Sequence, residues 1–145
     1  LDVHQGDGNA AILTPNPNVF VVSLHGEKNF PFRKVASDLD IALPDGTGDH
    51  AYLAAVEQAF AAVIDFQPDL LLYLAGVDPL DVDSLGRLSI SAAGLRRRDA
   101  YVFAGCRDAG LPVAAVAGGG YAKPITATVD AYAATFAAAQ QVFGI

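Results

Sequence analysis

The apolar residues of this 145-residue chain fall into runs that alternate between strand-like and helix-like patterns. Runs rich in branched and other apolar residues predict three strands, at Val19–Leu24, Asp69–Ala75 and Pro112–Ala117. Segments rich in alanine and leucine with helical periodicity predict three helices, at Asp49–Phe66, Ser91–Ala109 and Thr126–Phe143. This alternation predicts βαβ units, and therefore an α/β fold with a parallel sheet.

The second predicted strand contains an almost continuous apolar run, Leu70–Leu74. Such a run is typical of a strand that is covered on both faces within a parallel sheet. In open α/β sheets, ligands bind at the carboxyl ends of the strands, so we expect the functional residues to lie in the loops that follow the strands.

Composition and charge narrow the class of protein. Hydrophobic residues make up 52% of the chain and charged residues 17%, which is typical of one packed globular domain. The net charge of −7 disfavours direct binding of nucleic acid, and the run Arg96–Arg98 is interpreted as a solvated helix face. No apolar run reaches the roughly 20 residues that span a bilayer. The single cysteine, Cys106, forms no internal disulfide, so a cytoplasmic location is expected.

Residues with metal-binding and acid–base chemistry stand at three places near predicted strand ends. Asp2 and His4 are two positions apart, so an extended chain would point both side chains to one side. Asp78 follows the second predicted strand, and Tyr121 follows Gly118–Gly120 after the third. Two carboxylates and an imidazole suit a divalent metal with a position left open for water, and this set also suits Fe(II) or Mn(II). The Tyr121 phenol is a candidate donor to the oxyanion formed when metal-activated water attacks a carbonyl, which is the chemistry of amide hydrolysis.

Each of these signals has an ordinary alternative. An isolated Asp-x-His pair is common at turns and strand ends. Asp78 is also a candidate helix N-cap or Asx-turn residue, a role for which Asp81 and Asp83 compete. Gly118–Gly120 is a candidate phosphate cradle, although it lacks the Gly-Lys-Ser/Thr signature, and Tyr121 is a candidate half-buried aromatic.

In combination, the motifs resemble those of the zinc-dependent histone deacetylases and their bacterial relatives, the acetylpolyamine amidohydrolases and acetoin-utilisation proteins. The matching segments, in chain order, are Asp2-Val3-His4-Gln5-Gly6-Asp7-Gly8, in which Gln5 is typical of the class IV branch, Val22-Ser23-Leu24-His25, Gly76-Val77-Asp78 with Asp83 and Gly86, and Gly118-Gly119-Gly120-Tyr121. The resemblance implies a three-layer arginase/deacetylase-like α/β fold with a parallel sheet. It also implies that residues 1–145 are the carboxyl-terminal part of a single deacetylase-like domain.

The resemblance implies roles for the residues at the centre of the site. Asp2, His4 and Asp78 would bind Zn²⁺, and Tyr121 would polarise the substrate carbonyl and stabilise the tetrahedral intermediate. The reaction would remove an acetyl or other acyl group from lysine or a polyamine. Asp7 would hydrogen-bond a catalytic histidine and fix its orientation.

The resemblance also implies roles around the centre. Phe30 would line the channel for the acyl-lysine side chain. Ser23 and Leu24 would contribute oxygen atoms to a structural K⁺ site.

One feature of the family is absent from residues 1–145. The tandem His-His pair that supplies the general base and acid does not occur, since the only histidines are His4, His25 and His50. With His4 as a metal ligand, His25 and His50 would have to substitute. The alternative to an active hydrolase is therefore a catalytically incomplete half-domain or assembly module that needs a missing segment or another subunit. An arginase-like enzyme needs a two-metal cluster, and the single Asp-x-His argues against it.

Overall fold

The computed structural model describes residues 1–145 as four strands and four helices in one α/β unit. The strands are β1 (Val22–Gly26), β2 (Leu39–Leu43), β3 (Leu71–Ala75) and β4 (Val113–Ala117). The helices are α1 (Asp7–Leu13), α2 (Asp49–Phe66), α3 (Ala92–Ala109) and α4 (Thr126–Phe143). All three predicted strands and all three predicted helices are present, and the sequence patterns miss α1 and β2.

The strands form two parallel pairs, which the segment Leu1–Val3 joins. β1 pairs with β2, and β3 pairs with β4. On the β1 side, the amide of Asp2 donates to Leu24 O (3.4 Å), and Gly26 N donates to Val3 O (3.0 Å). On the β3 side, the amino group of Leu1 donates to Leu74 O (2.9 Å), and Gly76 N donates to Leu1 O (3.0 Å). The α/β class and the parallel strand arrangement are as predicted.

The core lies between the strands and the three long helices. It includes Leu24, Val56, Tyr73 and Phe103, and the rings of the last two meet edge to face with their centroids 5.7 Å apart. Cys106 is also buried there, and burial raises the pKa of its thiol to about 11. None of the helices combines the length and apolar composition needed to cross a membrane.

Within residues 1–145, β3 is covered on one face, whereas the sequence predicts cover on both faces. Tyr73 and Ala75 are buried, whereas the side chains on the opposite face, Leu72 and Leu74, are 61% and 39% exposed. Successive side chains of a strand point to opposite faces, so this pattern means that the packed elements of residues 1–145 cover one face of β3. A continuous apolar run therefore does not by itself show that both faces are buried in this chain.

The expectation that Arg96–Arg98 forms a solvated face is wrong for the third arginine. Arg96 and Arg97 are exposed, but Arg98 has no accessible surface. Arg98 lies three residues after Leu95 and four before Val102, both buried, and so belongs to the core face of α3.

Ser91 connects the beginnings of α2 and α3. Its hydroxyl accepts from Gly94 N (3.0 Å) as the N-cap of α3 and donates to the Asp49 carboxylate (2.6 Å) in the first turn of α2. We expect Ser91→Ala to lower the free energy of unfolding by about 0.5–2 kcal/mol, because an amide and a carboxylate both lose a partner. Urea denaturation measures this loss. Ser89→Ala, at an exposed position, is the control and should change stability by less than about 0.5 kcal/mol; equal losses in both variants would contradict the capping role.

Candidate metal centre

Asp2, His4 and Asp78 converge at one point of the structure. The ring nitrogen Nδ1 of His4 lies 3.0 Å from Asp2 Oδ1 and 2.9 Å from Asp78 Oδ2. One potential ligand atom from each residue lies within 4.8 Å of the others. Asp78 is completely buried, whereas the side chains of His4 and Asp2 remain 25% and 19% exposed. The cluster is therefore shielded from solvent at Asp78 and open to solvent at His4.

A bend in the chain brings the first two members together, not the extended conformation predicted from their spacing. The chain bends at Val3 and His4, and the amide of His4 donates to Asp2 Oδ1 (2.8 Å). The preceding amide, Val3 N, donates to Asp78 Oδ1 (2.9 Å). Two successive amides thus hold the two carboxylates, which leaves one oxygen of Asp78 to face the imidazole.

The glycine-rich turn after β4 packs directly against this cluster. Gly119 N donates to Asp2 Oδ2 (2.7 Å), and a Cβ atom at Gly119 would overlap the Asp78 carboxylate. The glycine is needed here because the backbone approaches the carboxylates too closely for a side chain. Since the amide of Gly119 is already hydrogen-bonded to Asp2, the arrangement disfavours the alternative of a phosphate cradle.

The acidic residues of the loop after β3 make different contacts. Asp83 takes the turn role, because its Oδ1 accepts from the amides of Leu85 and Gly86, both at 2.8 Å. Asp78 instead points into the cluster, and Asp81 is exposed. The geometry therefore favours Asp78 as the residue with metal-binding chemistry in this loop.

Tyr121 lies beside the cluster. Its ring meets the His4 ring edge to face with centroids 6.1 Å apart, and its side chain is 46% exposed. The backbone of Tyr121 is held at both ends, since its N–H donates to Asp83 Oδ2 (2.6 Å) and its carbonyl accepts from the Ser84 hydroxyl (2.5 Å). The contacts of Asp83 and Ser84 with Tyr121 are not predicted from the sequence, because nothing in the local pattern shows that this loop meets a residue 37 positions away from Ser84.

The two carboxylates have opposite pKa shifts. Burial, followed by the nearby Asp2 carboxylate, raises the pKa of Asp78. Burial also acts to raise the pKa of Asp2, but hydrogen bonds from the amides of Gly119 and His4 outweigh it and lower that pKa. Without a cation, the pair therefore favours a state in which Asp78 holds a proton and Asp2 is ionised.

The donor set of this cluster fits a divalent metal. Neither carboxylate forms an ion pair with a lysine or arginine, and His4 is the basic side chain that contacts both of them. One imidazole nitrogen and two carboxylate oxygens are ligands that zinc accepts, and Fe(II) uses the same donor types. The convergence of these atoms supports the predicted ligand set.

The side chains of the other predicted site residues form no hydrogen bond with those of this cluster. Asp7 begins α1, and its carboxylate forms no hydrogen bond with any of the three histidines. Phe30 is 60% exposed and packs edge to face on Phe32. Ser23 and Leu24 lie in β1, where the Ser23 hydroxyl pairs with His25 Nδ1 (3.0 Å) and the Leu24 carbonyl accepts from Asp2 N (3.4 Å). The roles of these four residues stay predictions.

The two remaining histidines do not join the cluster through hydrogen bonds. His25 is buried, and its Nδ1 lies 3.0 Å from Ser23 Oγ and 4.0 Å from Asp40 Oδ1. Burial lowers the pKa of His25, although the Asp40 charge opposes this effect. His50 is exposed in the first turn of α2. The geometry thus supports neither residue as the base for a reaction at the cluster.

Gln5 ties the segment of Asp2 and His4 to the strand pair on that side. Its side-chain nitrogen donates to Val35 O and Asp40 Oδ1, both at 2.8 Å, and its oxygen accepts from Val35 N (2.9 Å). Gln5 is buried, and this structural role is not evident from the motif alone.

Comparison with known proteins places this geometry in a family. A sequence model described as the histone deacetylase domain matches residues 1–138. An uncharacterized protein of Picosynechococcus sp. is 45% identical over 144 residues, which are 99% of this chain and 48% of that protein. Histone deacetylase 2 of Arabidopsis thaliana is 35% identical over 127 residues, which are 85% of this chain and 33% of that protein. The chain thus spans less than half the length of these relatives.

Solved structures show the same fold. The acetylpolyamine aminohydrolase of Burkholderia pseudomallei superposes with a TM-score of 0.82 at 22% identity, over 97% of this chain and 43% of that one. A histone deacetylase homologue from Aquifex aeolicus superposes with a TM-score of 0.74 at 25% identity, over 97% of this chain and 44% of that one. The predicted arginase/deacetylase-like fold is therefore confirmed, and residues 1–145 correspond to part of it.

The packing at Gly119 generates a first prediction about the cluster. We expect Gly119→Ala to destabilise the chain by about 1–3 kcal/mol, because the added methyl group must displace the Asp78 carboxylate. The same displacement should reduce zinc bound after dialysis, measured by elemental analysis. Gly8→Ala is the matched control, since no atom lies within 4 Å of a Cβ there. Normal zinc content in Gly119→Ala would show that the turn does not position the carboxylates.

The raised pKa of Asp78 generates a second prediction. A metal ion competes with the proton that Asp78 holds below its raised pKa, so zinc affinity should increase as the pH rises from about 6 to about 8. Calorimetry in two buffers of different ionisation enthalpy measures both the affinity and the protons released. Asp81→Asn, which changes an exposed carboxylate, should keep this pH dependence. An affinity independent of pH over this range would contradict the proton-holding role of the pair.

Proposed function

Because this chain belongs to the histone deacetylase family, we propose that residues 1–145 carry the metal-binding part of a hydrolase that removes an acetyl or other acyl group from lysine or a polyamine. On this proposal they are part of a single deacetylase-like domain. The observation that carries it is the convergence of Asp2, His4 and Asp78 beside Tyr121.

Zinc is the metal we propose, with Fe(II) as the alternative that the same donors suit. Asp2, His4 and Asp78 would hold it through one carboxylate oxygen, Nδ1 and one carboxylate oxygen respectively. When bound, the ion supplies a Lewis acid that polarises the acyl carbonyl and makes water more acidic. The amides of Val3 and Gly119 keep the two carboxylates oriented toward this point.

Tyr121 is the residue we assign to the developing oxyanion. As the carbonyl carbon becomes tetrahedral, negative charge accumulates on its oxygen, and a hydroxyl donor held in place stabilises that charge. Asp83 and Ser84 fix the backbone of Tyr121, and its ring packs edge to face on His4. Its partial exposure beside His4 leaves Tyr121 accessible to a substrate that enters from solvent.

The remaining assignments concern the surroundings. Phe30 would line the channel for the acyl-bearing side chain, and its exposed ring, which meets Phe32 edge to face, supports a surface role for it. Ser23 and Leu24 would contribute oxygens to a K⁺ site, and Asp7 would orient a catalytic histidine. The acidic charge of the chain is compatible with a cationic amine substrate.

Amide hydrolysis also needs a base to take a proton from water. Neither His25 nor His50 is hydrogen-bonded to the cluster, so the base would come from a polypeptide segment other than residues 1–145, in the same chain or in another. This observation also favours the second candidate function. Residues 1–145 alone would then be a catalytically incomplete half-domain or an assembly module, active only when combined with the segment that carries the base.

Zinc content tests the proposal first. After dialysis, we expect about one zinc ion per wild-type chain and almost none in Asp78→Asn, because the variant loses a buried ligand. Asp81→Asn, at an exposed position of the same loop, is the control and should keep its zinc. A wild-type chain that retains no zinc would overturn the proposed metal centre.

Activity separates the two candidate functions. The chain is assayed on an acetyl-lysine peptide, alone and with the part of the Picosynechococcus relative that residues 1–145 do not match. We expect hydrolysis in the combination only, and about a 10²–10³-fold loss in Tyr121→Phe with unchanged zinc content. Full activity of residues 1–145 alone would rule out the incomplete half-domain, and full activity of Tyr121→Phe would remove the oxyanion role.

A further inference from the structure

Arg98 is a buried guanidinium that the proposed reaction does not use. It lies in α3 next to Asp99, and both side chains are completely or almost completely inaccessible to solvent. We infer that Arg98 is a positioning residue for the metal centre, because it holds the Gly76–Asp78 segment at the place where Asp78 meets Asp2 and His4. This inference rests on the proposed function, which makes the cluster a metal site.

The guanidinium joins three parts of the chain. Its Nη1 donates to Gly76 O (2.6 Å) and lies 3.3 Å from the hydroxyl of Tyr52 in α2, while its Nε donates to Asp99 Oδ1 (2.8 Å). The ammonium group of lysine is a compact charge at the end of a flexible chain, whereas the planar fork of arginine spans separated acceptors at fixed angles. The Gly76 carbonyl therefore accepts a hydrogen bond from a rigid group in the core.

Asp99 in turn fixes Arg98. Its Oδ1 accepts from the Tyr73 hydroxyl in β3 (2.5 Å), and its Oδ2 accepts from Thr135 Oγ1 in α4 (2.6 Å). The Arg98 guanidinium also lies 5.8 Å from the centre of the Tyr73 ring. Because both oxygens of Asp99 are hydrogen-bonded, neither member of the ion pair is free to change its position independently.

Gly76 transmits this constraint to the cluster. Its amide donates to Leu1 O (3.0 Å), and its Cα packs so closely on Asp2 that a Cβ atom there would overlap the carboxylate. The next amide, Val77 N, donates to Gly119 O (2.8 Å), and Asp78 follows directly. A shift of the Gly76 carbonyl would thus move Asp2, the glycine-rich turn and Asp78 together.

Stability alone is a weak explanation for this ion pair. Buried charges lose their hydration, so a buried pair often contributes little more than an apolar pair of the same volume. Its contact with the Gly76 carbonyl, two residues before Asp78, gives the arginine a role at the cluster that an apolar side chain does not supply. Residues that orient metal ligands without touching the metal typically change metal affinity about 10- to 100-fold when they are replaced.

The test compares zinc affinities, measured by competition with a chelator of known affinity, in the wild type and in Arg98→Lys. We expect Arg98→Lys to bind zinc about 10- to 100-fold more weakly. We also expect an altered visible absorption spectrum when Co(II) is the probe, because the ligand geometry changes. Arg97→Lys, on the exposed face of the same helix, should match the wild type in both measurements.

A destabilised core variant separates positioning from general loss of stability. Val102→Ala, also in the core face of α3, should lower the unfolding midpoint while leaving zinc affinity and the Co(II) spectrum unchanged. If Arg98→Lys does not fold, Thr135→Val removes one support of Asp99 and should weaken zinc binding by a smaller factor.

The outcomes distinguish a failure of the proposed metal centre from a failure of the positioning role of Arg98. Absence of zinc binding in the wild type overturns the proposed metal centre and this inference with it. Zinc bound by the wild type with equal affinity and spectrum in Arg98→Lys, or in Thr135→Val where the former does not fold, overturns the positioning role and leaves the proposed function intact.

Discussion

The structure depends on the hydrogen bonds that the segment Leu1–Val3 forms with both pairs of strands. Without them, β1–β2 and β3–β4 would be separate two-stranded ribbons, which are marginally stable by themselves in water. The same segment carries Asp2 and leads directly to His4, so the bonds that complete the sheet also bring these ligand candidates to Asp78. The assembly of the sheet and the assembly of the cluster are therefore one event in this chain.

The electrostatics of the cluster follow from that placement. Two carboxylates are forced together at a buried position with one imidazole between them, and no lysine or arginine pairs with either. Two nearby carboxylates cannot both ionise readily in a medium of low polarity, so their pKa values separate. A divalent cation would remove this conflict, since it favours the ionised form of both groups. The proposed metal would thus favour ionisation of Asp78, the carboxylate whose charged form the protein itself disfavours.

The sequence predicts the regular elements well where periodicity is strong. The helices α2 and α4 begin and end at the predicted residues, because long runs of helix-forming residues end at left-handed positions such as Gly144. It misses α1 and β2, which have only seven and five residues and thus too short a pattern. It also misplaces the burial of β3, since an apolar run carries no information about which faces other elements cover.

The candidate site is predictable only in part, for a related reason. Motifs identify Asp2, His4, Asp78 and Tyr121, but they do not show how residues such as His4 and Asp78, 74 positions apart, are oriented. That orientation comes from backbone amides, from glycines that allow close packing, and from the buried pair Arg98–Asp99.

Arg98 shows most clearly what a local pattern cannot reveal. A run of three arginines usually lies on a solvated face, and two of the three do so here. The third is turned into the core by the helical repeat, where Asp99 offsets its charge and the Gly76 carbonyl accepts one of its N–H groups. On the inference drawn above, a change at Arg98, unlike one elsewhere in the core of α3, would reach the cluster through the peptide group of Gly76. The order of the three candidate ligands would therefore depend on the buried polar network next to them.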